Sequence, residues 1–170
     1  MMMTKTIDSY RFLDGLTARV LKNWAAREPK RQIPWTPLSK PLSECTVALI
    51  SSAAIALKSD APFDLEIERR NPWISDPSYR ILPRTATEAD VNIYHLHIDH
   101  KFAEQDLDCI FPLRRLAELE TSGEIGHVAP HHYSYMGYTC DAGRLLEQSL
   151  PGIIQGLQED AVDAVLLIPV

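Results

Sequence analysis

Two kinds of apolar pattern run along the chain. One is helical. Between residues 4 and 28, Phe12, Leu13, Leu16, Val20, Leu21 and Trp24 recur at nearly helical spacing, which predicts one amphipathic helix. Residues 113–121 (LRRLAELET) repeat the pattern. Gly123 just beyond them is a C-terminal stop, because glycine turns left-handed at no steric cost. Residues 143–159 (GRLLEQSLPGIIQGLQE) predict another helix, kinked or split in two at Pro151 and Gly152. The other pattern is a continuous aliphatic run. Residues 46–50 (TVALI) and 163–168 (DAVLLI) suit strands buried on both faces, as in a parallel sheet. Residues 91–98 (VNIYHLHI), 125–129 and a short stretch at 79–82 are further strand candidates. The four prolines from Pro29 to Pro41 predict an extended tether, and residues 61–90, rich in Pro, Asp and Arg, read as long loops.

Strand, helix, strand, helix, strand implies parallel βαβ units. The expected fold is therefore α/β: an open, mainly parallel sheet flanked by helices in three layers, flavodoxin- or Rossmann-like, and incomplete at the C-terminus. The expected organisation is a helix and tether over residues 1–45 and an α/β domain over residues 46–170. No G-x-G-x-x-G or G-x-x-x-x-G-K-[ST] occurs, so neither phosphate loop supports a nucleotide.

Composition changes the picture by exclusion. A length of 170 residues with 45% hydrophobic and 24% charged residues fits one soluble domain with its own core. A net charge of −6 gives no reason to expect nucleic-acid binding, since phosphate contacts need a basic patch. No apolar run reaches the length of a membrane span, and MMMTKTIDSYRF lacks the apolar stretch of a secretory signal. The three cysteines, Cys45, Cys109 and Cys140, are odd in number with no C-x-x-C pair. That predicts reduced thiols in a cytoplasmic protein.

Ligands of open α/β sheets bind beyond the carboxyl ends of the strands, so the strand exits are where chemistry is expected. The first leads into Ser51 and Ser52, the second into His97, Asp99 and His100, and the third into His131, His132, Tyr133 and Ser134. The last leads into Pro169 and Val170. His95 and His97, two apart, share one face of a strand, and with Asp99 and His132 they could hold a metal; the competing reading is hydrogen-bonded histidines without one. Ser51 and Ser52, followed by small residues, could be a nucleophile or an anion-binding turn; the competing reading is a loop of small residues for close packing, favoured over a nucleophile because the flanking glycines of a nucleophile elbow are missing. The segment 131–138, HHYSYMGY, reads either as a loop packing its aromatics or as a substrate wall. Cys45 precedes its strand, Cys109 sits among apolar neighbours where burial would suppress a thiolate, and Cys140 alone follows the histidine segment.

Taken in order, TVALISSAAIALKSDAPFD, DPSYRILP, the stretch around HLHID, QDLDCIFPLRRLAEL, GEIGHVAPHHYSYMGY and EDAVDAVLLIPV resemble the glycine/sarcosine/betaine/D-proline reductase selenoprotein B family in its short, stand-alone form. The resemblance runs from Val47 to Val170, and DxxFPLxRLxEL followed by GEIG is its most distinctive part. In that family the segment resembling VLLIPV leads directly into a redox pair, a selenocysteine or cysteine and then, after two residues, a cysteine. Selenocysteine is encoded by UGA, so the expectation is that the position following Val170 is selenocysteine, read as a stop. The resemblance implies reductive cleavage of a small substrate by a selenolate. A resolving cysteine then closes a selenenylsulfide, and a dithiol reductant such as a thioredoxin-like protein reopens it. It implies no cofactor beyond the selenocysteine and no metal, His97, His132 and Tyr133 as supporting catalytic residues, and Ser51, Ser52, Asp99, His131 and Ser134 as substrate-binding residues. A homo-oligomer is compatible with it; nucleic acid and membrane partners are not expected. The characterised amino-acid reductases of the family work in multi-subunit complexes with pyruvoyl-bearing partners. The 170-residue chain by itself is expected to be inactive, with an apolar sheet edge exposed. Two other readings compete, a non-catalytic binding module and a metal-dependent enzyme built on the histidine cluster.

Overall fold

The structure, a computed structural model, describes residues 10–27, 36–140 and 142–170. The ends of the predicted N-terminal helix, at 4–9 and 28, and most of the proline tether lie outside them. The chain divides into two compact units, Met1–Pro37 and Leu38–Val170. In the first, helix α1 spans Gly15–Arg27. Asp14 sets its start: Oδ1 accepts the main-chain N–H groups of Leu16 and Thr17, both at 3.0 Å, as an N-cap does.

The second unit is built on β1 (Thr46–Ser51), the strand that the TVALI run predicts. β7 (Ala164–Ile168) lies parallel along one side of it, in register from Val47↔Ala164 to Ser51↔Ile168. Two short strands share its other side. β5 (His127–Val128) pairs parallel with Thr46 and Val47, and β6 (His131–Tyr135) pairs parallel with Ile50 and Ser51. Beyond β6, β3 (Tyr79–Pro83) runs antiparallel along its whole length. The sheet is therefore curled and mixed but mostly parallel. β2 (Ile55–Leu57) and β4 (Val91–Ile93) form a separate antiparallel pair.

Helices cover both faces, giving the expected three-layer α/β arrangement. On one face Val47 and Leu49 of β1 and Val128 of β5 join Phe111, Ile125 and the α4 (Leu113–Ser122) residues Leu113 and Leu116 in the main core. On the other, α5 (Gly143–Gln148) and α6 (Leu150–Glu159) lie over Ile50, Tyr135 and Leu167. The long C-terminal pattern thus splits in two as expected, and Gly123 ends α4 at φ 74°.

Three expectations are corrected. The strand predicted over 91–98 stops at Ile93 and lies outside the main sheet. Its partner β2 offers only three residues, after which the Tyr94 N–H turns to the Ala54 carbonyl. The segment read as a loop or wall at 131–138 is mostly β6, a strand inside the sheet. Its polar residues hide this, because two of them do work that backbone usually does: His132 Nδ1 accepts the Leu49 N–H at 2.9 Å and Ser134 Oγ accepts the Ile55 N–H at 2.8 Å. Finally, the predicted loops at 61–90 contain helix α2 (Leu65–Arg70), started by Asp64, whose carboxylate accepts the Glu66 N–H. No helix among the described residues is long and apolar enough to cross a membrane.

Candidate functional site

Because β1, β6 and β7 run parallel, their carboxyl ends meet on one side of the sheet. The chain leaves β1 through a turn closed by Ser51, whose Oγ donates to the Ile110 carbonyl at 2.9 Å and accepts the Ala53 N–H at 3.2 Å. Ala54 follows at φ 53°, a left-handed conformation that costs a non-glycine residue about 1 kcal/mol or more. Its main chain is held from both sides, by Tyr135 O and Tyr94 N. Ser52 turns to the end of β7. Its N–H donates to Ile168 O at 3.1 Å and its Oγ accepts the Val170 N–H at 2.9 Å. Gly137, just past β6, donates its N–H to Ser52 O at 3.1 Å, and a Cβ there would collide with the Ser52 side chain. Glycine is needed for that approach.

The turn after β4 brings a cluster of titratable groups to the same place. His95 is 6% exposed, and its Nδ1 accepts the His97 N–H at 3.2 Å. Burial first, then the neighbouring His97, holds the His95 imidazole below its ordinary basicity. A hydrogen bond to the main chain of Val170 opposes both. His100 Nε2 donates to His95 O at 2.6 Å and fixes the turn. The His97 side chain is half-exposed. Its Nε2 is hydrogen-bonded to Glu68 Oε1, and its ring lies 4.2 Å from that of Tyr138, centroid to centroid. Glu68 is 4% exposed, and its second oxygen, Oε2, has no hydrogen-bond partner among the described residues. The arrangement is a buried carboxylate behind a solvent-facing imidazole, with an aromatic ring against the imidazole.

Of the residues singled out from sequence, Ser51, Ser52 and His97 come together here. Asp99 lies in the same turn but spends Oδ1 on the Lys101 N–H, capping α3 (His100–Ala103). His131 faces Asp160, 3.0 Å from Nδ1 to Oδ2, at the opposite end of β6. His132 is fully buried inside the sheet against Phe111, and burial, seconded by the charge of Arg84, lowers its pKa to about 4. Tyr133 points at α6, its hydroxyl beside Gly156, and burial raises its pKa to about 12. Ser134 is committed to the Ile55 N–H. His95, His97, Asp99 and His132 are not assembled: no group of three or more His, Cys, Asp and Glu among the described residues is placed to hold a metal. Cys45 is buried as a core residue, with Sγ 3.3 Å from Pro41 O. Cys109, expected to be buried, is exposed at the end of a 3₁₀ turn, and Cys140 is exposed too.

Sequence reasoning leaves out Glu68 and Tyr138. Glu68 belongs to a one-and-a-half-turn helix in a segment whose prolines and aspartates read as loop. The Asp64 cap was its available signal. Tyr138 stands at the end of the aromatic segment 131–138, which does supply one wall of the cluster.

The family model described as glycine/sarcosine/betaine reductase selenoprotein B matches residues 23–169. A D-proline reductase subunit gamma from Acetoanaerobium sticklandii is 34% identical over 133 residues, covering 78% of this chain and 52% of that protein. A glycine reductase complex component B subunit gamma from Carboxydothermus hydrogenoformans is 28% identical over 137 residues, covering 80% of this chain and 30% of that protein. The chain thus spans about half the length of the first relative and less of the second. No solved structure matches it.

Proposed function

The chain belongs to the glycine/sarcosine/betaine reductase selenoprotein B family, and from that premise we propose that it forms the substrate-facing half of a selenol- or thiol-dependent amino-acid reductase subunit. The nucleophile, a selenocysteine or cysteine, follows Val170. The observation that carries this reading is the gathering of His95, His97, Glu68, Tyr138 and Ser52 around the carboxyl end of β7. A chalcogenol placed there and followed by a helix would have its anion favoured by the helix's positive end.

The anion attacks the substrate carbon that bears the leaving group, and that bond breaks with its electron pair going to the leaving group, which takes a proton. The resolving cysteine attacks the selenium or sulfur. The pair of the chalcogen–carbon bond stays with carbon, which takes a second proton. An external dithiol reduces the resulting selenenylsulfide or disulfide, becoming a disulfide itself and returning two electrons and two protons. The two relatives are named as subunits, and we take protein partners, a thioredoxin-like dithiol donor and a cytoplasmic setting as part of the proposal.

The test uses the full gene product purified with its partners from the native host. It is reduced with dithiothreitol and labelled with iodoacetamide, and dithiol consumption is followed with D-proline or glycine. The expected result is an alkylated selenocysteine or cysteine in the peptide that follows Val170, and dithiol consumption with one of the two substrates that labelling abolishes. A peptide after Val170 with no alkylated residue would overturn the proposal.

A further inference from the structure

The Glu68–His97 pair has features that a structural ion pair does not require. The carboxylate is the buried member, 4% exposed, and the imidazole faces outward. A pair formed only to hold α2 in place would satisfy both carboxylate oxygens, because burying an unpartnered one carries its full desolvation cost. Here Oε2 has no partner among the described residues, so His97 is the group that hydrogen-bonds this buried carboxylate. The contact also decides which ring nitrogen is free among the described residues. With Nε2–H directed at Glu68, Nδ1 is the atom left to take up or give a proton. The neighbours restrict the ring further: Tyr138 lies against its face, and the His97 N–H is tied to His95 Nδ1. Tyr138 follows Gly137, whose N–H donates to Ser52 O, and Ser52 Oγ accepts the Val170 N–H, so the ring belongs to the residues gathered at the end of β7.

We propose that His97 is the acid–base residue of the reductive site, giving a proton from Nδ1 to the group that leaves the substrate, and that Glu68 is the residue that positions it. The inference rests on the reductase reading above. The proton returns to His97 when the external dithiol is oxidised, so each turnover leaves the pair unchanged. Glu68 acts through His97 and touches no substrate.

The experiment uses the full gene product in its complex with D-proline or glycine, whichever the wild type reduces, and compares His97→Gln, Glu68→Gln, Glu68→Asp and the double substitution His97→Gln/Glu68→Gln. His97→Gln is expected to lower kcat roughly 10²-fold with KM changed less than about threefold, the size of a lost proton donor. Glu68→Gln lowers kcat by a smaller factor, and Glu68→Asp restores part of it. The double substitution is no slower than His97→Gln alone, because a residue that acts only through His97 has nothing left to lose. KM stays within about threefold of wild type in every variant, which shows that the site still folds and binds substrate, and the nucleophile after Val170 is still alkylated by iodoacetamide. A His97→Gln enzyme within threefold of wild-type kcat, or losses that multiply in the double variant, would overturn the inference while the labelled nucleophile left the reductase reading intact. An unlabelled peptide in the wild type would remove that reading and this inference with it.

Discussion

His132 shows how one side chain can hold a sheet together. β5 and β6 follow one another along β1 as one interrupted strand, and at the interruption a side chain stands where a carbonyl would meet the Leu49 N–H. The imidazole Nδ1 takes that place at 2.9 Å, in a position with no solvent exposure. An acceptor must be unprotonated, so the fold holds His132 neutral, and burial and Arg84 lower its pKa from 6.5 to about 4. The sign of the pH effect follows. Between these values the unfolded chain binds a proton that the folded chain refuses, so stability is full above about 6.5 and falls as the pH drops toward 4. The loss amounts to about 3 kcal/mol once both values are passed. His95, also held below its ordinary basicity, adds to the loss in the same direction. Urea unfolding at pH 7 and pH 4.5 checks this. The wild type should lose more of its stability than His132→Asn, which keeps an acceptor and cannot titrate. Equal losses in the two proteins would refute the assignment.

At the scale of elements, α6 closes on the sheet because two glycines, four residues apart on one face, leave room for two tyrosines. A Cβ at Gly152 would strike the Tyr79 hydroxyl and one at Gly156 the Tyr133 hydroxyl. Gly156→Ala is therefore expected to destabilise the protein by about 1–3 kcal/mol in spite of alanine's better helix propensity. Tyr133→Phe removes the atom that is struck, so the double variant should regain at least half of the loss in urea unfolding. If it regains nothing, the hydroxyl is not what limits the approach. The same packing explains what sequence could reveal. β7 is aliphatic throughout and β1 from Val47 to Ile50, and both were legible as sheet, as were α4 with its glycine stop and the break between α5 and α6. β6 was not, because its residues read HHYSY: a strand whose side chains serve as hydrogen-bond acceptors for neighbouring backbone loses the apolar signature of a buried strand. α2, six residues long, and β2, three, were too short for periodicity to register. The site was legible as a region, through the rule that strand ends carry chemistry. Its membership was not. Ser51, His132, Tyr133 and Ser134 looked free to act and are committed to turns, ladders and packing, whereas Glu68 is brought in by a helix that sequence did not show.

For the molecule as a whole, β7 is the element that decides behaviour in solution. It is bonded to β1 on one side, and its other edge pairs with no strand among the described residues. Its sequence AVLLI suits a strand covered on both faces, yet Val165, Leu166 and Leu167 are 38%, 45% and 67% exposed. Leu167 also lines an apolar cleft of about 150 Å³ with Leu146 and Leu150, which are themselves exposed on α5 and α6. An unpaired aliphatic edge beside an apolar cleft is a template for another strand or another copy. The 170-residue polypeptide is therefore expected to self-associate, with a weight-average mass that rises with concentration in sedimentation equilibrium. Leu167→Lys places a charge on the most exposed position of the strand and should hold the protein at the monomer mass. The substitution leaves the main core intact, since Leu167 lies outside the buried cluster around β1 and contributes only to the cleft under α5 and α6. A wild-type chain that stays monomeric at every concentration would show that this edge is protected by something other than a second strand. A Leu167→Lys chain that still associates would place the contact on another surface.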